Sequence, residues 1–130
     1  MSAEPVQLAC FYRVRWGSQE EFVELFTRNH LPLLRAQQET GRILDVRAWA
    51  PRFHGDGRAD WTLLVIITYR DWAALQERET QRELERRLFP DQERYRAEER
   101  RRFELLDAHW DVPLSPAPLA PAPVGAGPAS

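Results

Sequence analysis

The stretch from Asp60 to Tyr69, Asp-Trp-Thr-Leu-Leu-Val-Ile-Ile-Thr-Tyr, is the strongest constraint on how this chain folds. Strand side chains alternate in direction, so Leu63, Val65 and Ile67 point to one face while Leu64 and Ile66 point to the other. A strand that is apolar on both faces has to be covered twice. The helices that a chain of 130 residues supplies cover one face of a sheet, and a second copy of the protein is the expected cover for the other.

The flanking sequence supplies the rest of that sheet. Val6 to Trp16 reads as a first strand, with Val6, Leu8, Cys10, Tyr12, Val14 and Trp16 on one face and Ala9 and Phe11 making the other partly apolar. After Gly17, Ser18 and Glu21 form a capping-box pattern, and Phe22, Leu25, Phe26, Asn29, His30 and Leu33 follow as one helical stripe. Pro32 removes a backbone donor, which predicts a kink near His30, and Gly41 stops the segment. Arg42 to Arg52 is a second strand that alternates Ile43, Asp45, Arg47 and Trp49 against Leu44, Val46, Ala48 and Ala50. The turn residues from Phe53 to Arg58 join it as a hairpin to the third strand.

Asp71 is placed to cap a second helix that starts at Trp72 and packs Trp72, Leu75, Leu84 and Leu88, with a charged stretch between. Pro90 and Asp91 interrupt it and open a further helix to about Phe103. Leu106, Ala108, Trp110, Val112 and Leu114 then alternate with Asp107, His109 and Asp111 as a fourth strand. The order predicts an α+β, ferredoxin-like four-stranded antiparallel sheet with helices on one face, dimerising through the other face into an α/β barrel. Residues 6–114 form the domain, residues 1–5 a short lead, and residues 115–130 a Pro/Ala-rich tail too poor in apolar side chains to pack.

Composition removes several classes of chemistry and partner. A formal net charge of -2 does not suit a phosphate-neutralising surface, so nucleic acid is not an expected partner. No apolar run approaches the roughly 18 residues of a membrane span, and Met1 to Pro5 lacks the basic start and apolar block of a secretory leader. The expected location is the cytoplasm. All 18 basic residues are Arg, which excludes a Schiff-base lysine or a P-loop lysine in this chain. A single Cys10 can form neither an internal disulfide nor a Cys-rich zinc site.

Trp16-Gly-Ser-Gln-Glu-Glu-Phe22, Arg28-Asn-His-Leu-Pro-Leu33, the hairpin from Trp49 to Tyr69 and Asp71-Trp-Ala-Ala-Leu75 together resemble the dimeric α/β-barrel superfamily. Within it, the similarity is to the stress-responsive barrel, NIPSNAP-like and EthD-like small proteins, over roughly residues 6–114. The resemblance implies a homodimer. It also implies one of several activities, because members include cofactor-free monooxygenases, haem-degrading enzymes, polyketide cyclases and lactone isomerases. Fold alone does not choose among them.

His30 is the leading candidate for catalysis. It shares the apolar stripe of the first helix and adjoins the Pro32 kink, so it is expected to face the space between helix and sheet and act there as general base or acid. The resemblance adds that a histidine in a His-x-Pro context, here His30-Leu31-Pro32, occupies this place in several small-molecule enzymes. The bland alternative is a histidine that satisfies a carbonyl freed by the kink. Tyr12, Arg47, Trp49, Tyr69 and His109 are the candidate substrate-positioning residues, with Asp45 and Arg47 alternatively forming a charge pair at the dimer edge. Asp107, His109 and Asp111 share a strand face but do not make a metal triad, because the two aspartates stand about 13 Å apart along a strand; a solvated face is expected instead.

His54 belongs to a hairpin turn and not to a nucleotide loop, and Arg100-Arg101-Arg102, flanked by glutamates, reads as a solvated helix surface. The leading expectation is a homodimeric, cofactor-free enzyme of the cyclase, isomerase or monooxygenase type acting on a small aromatic or polyketide-like molecule. One alternative is a haem protein using His30 or His109 as axial ligand. Another is a non-catalytic ligand-binding or assembly protein whose cavity is filled.

Overall fold

The computed structural model describes residues 4–52 and 60–119. The expected hairpin turn with His54, the first three residues and the tail beyond residue 119 lie outside the described residues. In chain order the elements are strand β1 (Val6–Val14), helix α1 (Gln19–Leu25), a π-helical turn (Phe26–His30) and helix α2 (Leu31–Glu39). Strands β2 (Ile43–Trp49) and β3 (Leu63–Tyr69) follow, then helices α3 (Trp72–Gln76), α4 (Glu79–Leu88) and α5 (Gln92–Glu104), and strand β4 (Leu106–Leu114).

The sheet order is β2-β3-β1-β4 and every neighbouring pair is antiparallel. The chain therefore has the expected α+β, ferredoxin-like fold. The two-faced strand behaves as its alternation requires: Val65 and Ile67 are buried in the core beneath the helices, while Leu64 and Ile66 lie on the opposite, open face. The main core packs Cys10, Tyr12 and Val14 of β1 and Val65, Ile67 and Tyr69 of β3 against Phe22, Leu25, Phe26 and Leu34. Phe22 is fully covered at 0% exposure, and a large apolar side chain buried in this way contributes about 1.5–3 kcal/mol.

Three local departures from the simple periodicities matter for the site. The register of β2 against β3 shifts between Ile43 and Asp45, a bulge that leaves Leu44 exposed. Ile43 consequently joins Val46 on the helix side instead of sharing the face of Asp45, Arg47 and Trp49. The kink expected at Pro32 takes the form of a π-helical turn in which the Leu31 N–H reaches back to the Phe26 carbonyl. A wider turn absorbs the donor that proline lacks, and such turns recur at functional sites. Ser18 does precede α1, but its side chain makes no capping hydrogen bond, its N–H donates to the Arg15 carbonyl and Glu21 pairs with Arg101, so the expected capping box does not form.

The helix expected from Trp72 to Leu88 is instead two helices. Glu77 adopts an extended conformation at the end of α3, and its carboxylate accepts from Thr80 N–H at 3.0 Å and from Thr80 Oγ1 at 2.6 Å, so it caps α4. Arg42 locks this junction, with Nη1 2.6 Å from Glu77 Oε2 and Nη2 donating to the carbonyls of Ala74 and Glu77. A cation at the carbonyl end of a helix is favourable. The break turns Trp72 outward, at 48% exposure, while Ala74 and Leu84 face inward. Asp71 caps α3 as expected, accepting from Ala74 N–H at 2.7 Å.

Candidate functional site

Between the helix side of the sheet and the helices lies a cavity of about 590 Å³, partly open to solvent. Drug-sized ligands occupy cavities of roughly 300–1,000 Å³. Strand register decides which side chains reach it. Tyr12 pairs with His109, Cys10 with Asp111 and Leu8 with Pro113, so the polar row of β4 stands beside the helix-facing row of β1. The expected solvated face is thus part of a cavity wall, because the apolar row of β4 is needed on the other side of the sheet. There Trp110 stacks on Phe11 at 5.3 Å, with Trp61 edge-on to Phe11 at 6.2 Å. Val112 and Leu114 complete this open surface.

His109 is held on two sides. Its Nε2 lies 3.0 Å from Asp111 Oδ1, and its ring stacks on Tyr12 with centroids 4.6 Å apart and an interplanar angle of 4°. The His109 contact holds the Asp111 carboxyl below its usual range, so Asp111 is the anion that orients the imidazole. His30 enters from the helix side at the end of the π-helical turn, edge-on to Phe26 at 5.0 Å. Among the described residues its ring nitrogens have no hydrogen-bond partner, and it lines the cavity. Burial, reinforced by the charge of Arg102, pulls its pKa down to about 3, so the ring is neutral near pH 7.

Tyr12 and Tyr69 also line the cavity. Burial pushes both hydroxyls up, so both remain protonated donors. Burial likewise raises the Cys10 thiol, with Asp111 adding to it, which keeps Cys10 an unreactive thiol. Of the residues singled out from sequence, His30, Tyr12, Tyr69 and His109 therefore converge on one cavity. Arg47 and Trp49 do not: they stand on the open face opposite Ile66 and Leu64, and Arg47 pairs with Asp45 at 2.8 Å.

Sequence reasoning missed two participants. Asp111 carries a signal in the His109-x-Asp111 spacing, since strand neighbours two apart share a face. Arg102 was expected on a solvated surface, yet it is 3% exposed and lines the cavity. Its neighbours Arg100 and Arg101 do face solvent, and three consecutive arginines give no hint which one turns inward. Among the described residues no group of three or more His, Cys, Asp or Glu side chains is arranged to hold a metal ion, and no helix is long and apolar enough to cross a membrane.

No protein-family model matches the chain, and no curated protein sequence does. Solved structures do match. An uncharacterised NIPSNAP-domain protein from Burkholderia xenovorans is 23% identical, covering 92% of this chain and 100% of that one with a TM-score of 0.52. A dimeric ferredoxin-like protein of unknown function from Thermobifida fusca is 13% identical, covering 87% and 92% with a TM-score of 0.52. A hydroxynitrile lyase from Passiflora edulis is 13% identical, covering 91% and 98% with a TM-score of 0.54. These likenesses establish that the chain shares the fold of NIPSNAP-domain and dimeric ferredoxin-like proteins.

Proposed function

We propose that the protein is a homodimeric, cofactor-free enzyme that moves a proton on a small aromatic or polyketide-like molecule held in the cavity. Cyclase, isomerase or lyase chemistry falls within that description, and the lyase of the same fold from Passiflora edulis is in keeping with it. The observation that carries the reading is the convergence of Tyr12, Tyr69, His30 and the His109–Asp111 pair on one cavity. A base needs a proton affinity suited to neutral pH and a group that orients it. His109 with Asp111 meets the second requirement. His30, neutral and without a protein partner, is suited to exchange a hydrogen bond with substrate, and Tyr12 and Tyr69 donate to a substrate oxygen. The apolar open face, with Phe11, Ile66, Trp110 and Val112, supports dimerisation through that side.

Two probes test the catalytic part: cleavage of mandelonitrile, and deuterium uptake at the methyl group of acetophenone in D2O followed by NMR. Rates above buffer that fall by about 10²–10⁴ in His109→Ala support it. Buffer rates for both probes with the natural protein remove it.

The haem alternative draws on the same two histidines. An axial bond from His109 Nε2 would displace Asp111 and the stacking on Tyr12, which disfavours it. His30 has uncommitted nitrogens but sits against Phe26, with Arg102 close by. These donors favour the cofactor-free reading. A Soret band in haem-reconstituted protein that vanishes in His30→Ala would reverse the preference.

A further inference from the structure

Phe103 is a large apolar side chain in the last turn of α5, a helix rich in charged residues, and it joins neither hydrophobic core. It is 47% exposed and also lines the cavity, so it offers one apolar surface to solvent and ligand space at once. The ring is nevertheless fixed in place. Arg102 backs it, with the guanidinium carbon 4.7 Å from the ring centroid. Arg102 is itself only 3% exposed and is clamped by Glu99, through Nε at 3.3 Å and Nη2 at 2.7 Å. A cation held this close to an aromatic ring attracts it. On another side the Phe103 ring meets the His109 imidazole, with centroids 5.7 Å apart and planes at 57°. The exposed lining residues that the α3–α4 segment contributes, Glu77, Arg78 and Arg82, are all charged.

Strand register sets the order of groups along the cavity floor. Leu8 pairs with Ile67 and Pro113, Cys10 with Asp111, and Tyr12 with His109. Same-face neighbours on a strand stand roughly 6.5–7 Å apart, so the apolar end at Leu8 and Ile67 is about 13 Å from the polar Tyr12–His109 pair. β4 starts at Leu106, opposite Val14, and Phe103 shortly precedes it, so Phe103 stands at the end of the floor away from Leu8 and Pro113. The polar pair is thus flanked by apolar surface on both sides. Resting on the ligand-cavity reading above, we propose that the cavity takes a carbonyl compound with two aromatic rings, one on each side of the carbonyl. One ring lies toward Leu34, Ile67 and Leu75, the oxygen meets Tyr12 and His109, and the second ring rests on Phe103. Two aromatic rings in contact gain attraction beyond the area they bury. A ligand with a single ring leaves Phe103 facing water.

Titration of the full chain at pH 7, followed by NMR, with benzyl methyl ketone and dibenzyl ketone reads the second ring directly. Covering roughly 55 Å² of ring is worth a factor of ten, so dibenzyl ketone is expected to bind at least about tenfold tighter. Phe103→Ala should bring the ratio within about threefold while leaving the affinity for benzyl methyl ketone nearly unchanged, and Phe103→Tyr should keep the ratio. Because Phe103 belongs to neither core, the variants are expected to fold, with circular dichroism as the check. Equal affinity of the natural protein for the two ketones overturns the second ring site while leaving a ligand cavity in place. So does a ratio that survives Phe103→Ala, or an equal loss of both ketones in that variant. Failure of both ketones to bind the natural protein removes the cavity reading and the ring site together.

Discussion

Acidification should destabilise this protein through His30 by an amount that can be worked out in advance. The imidazole has an ordinary pKa of 6.5 and is held at about 3 in the folded protein. Between those values the unfolded chain binds a proton that the folded one refuses. The unfolded state therefore holds more protons, so stability rises with pH and is lost as pH falls from 6.5 toward 3. Each tenfold change in proton affinity is about 1.4 kcal/mol, so the full difference approaches ~5 kcal/mol. The ring's contact with the partly open cavity screens some of this, leaving about 2–4 kcal/mol across the window and about 1–2 kcal/mol by pH 5. Urea unfolding at pH 7 and pH 5, at one fixed protein concentration, measures the loss. His30→Gln keeps a neutral hydrogen-bonding side chain but cannot take up the proton, so its loss should be smaller by about 1–2 kcal/mol. Other titrating groups cancel in that comparison. Equal losses in the two proteins would refute the reasoning.

The helix caps make a paired prediction. Asp71→Ala should cost about 1 kcal/mol, because the Asp71 side chain accepts from Ala74 N–H, whereas Ser18→Ala should be near neutral for want of such a bond; thermal unfolding distinguishes them. On the open face, Val112→Asp should leave the single chain folded, since Val112 is already 39% exposed. It should weaken self-association by about a hundredfold or more by burying an unpaired carboxylate in each copy, as sedimentation equilibrium would show. A natural protein that sediments as a compact monomer at micromolar concentration contradicts the dimer.

The fold was legible because its signals are local and repeated. Two-sided apolarity in Leu63 to Ile67 demanded a buried strand with two covers, and the period-two alternation of β4 holds from Ala108 to Leu114, while a register shift at its start turns Leu106 to the core side. What could not be read was direction. Alternation says that His109 and Trp110 face opposite ways, but only pairing with Tyr12 and Phe11 decides which way is toward the helices. One inserted residue at Leu44 reversed Ile43 relative to Arg47, and bulges leave no sharp mark in composition. The split between α3 and α4 hinges on a tertiary contact, Arg42 reaching 35 residues along the chain to Glu77. His30 and Tyr12 were visible as site candidates because an aromatic or imidazole on a core stripe stands out. Arg102 was hidden because its inward turn depends on three phenylalanine rings from two segments of chain.

A crystal structure of the protein with acetophenone or benzoate tests most directly whether the space between sheet and helices is the functional site. The ring is expected among Leu34, Ile67 and Leu75, with its oxygen within hydrogen-bonding distance of Tyr12, His30 or His109. Ligand found only against Trp49 and Trp110 on the outer face of the sheet, with the inner cavity empty, would contradict that placement.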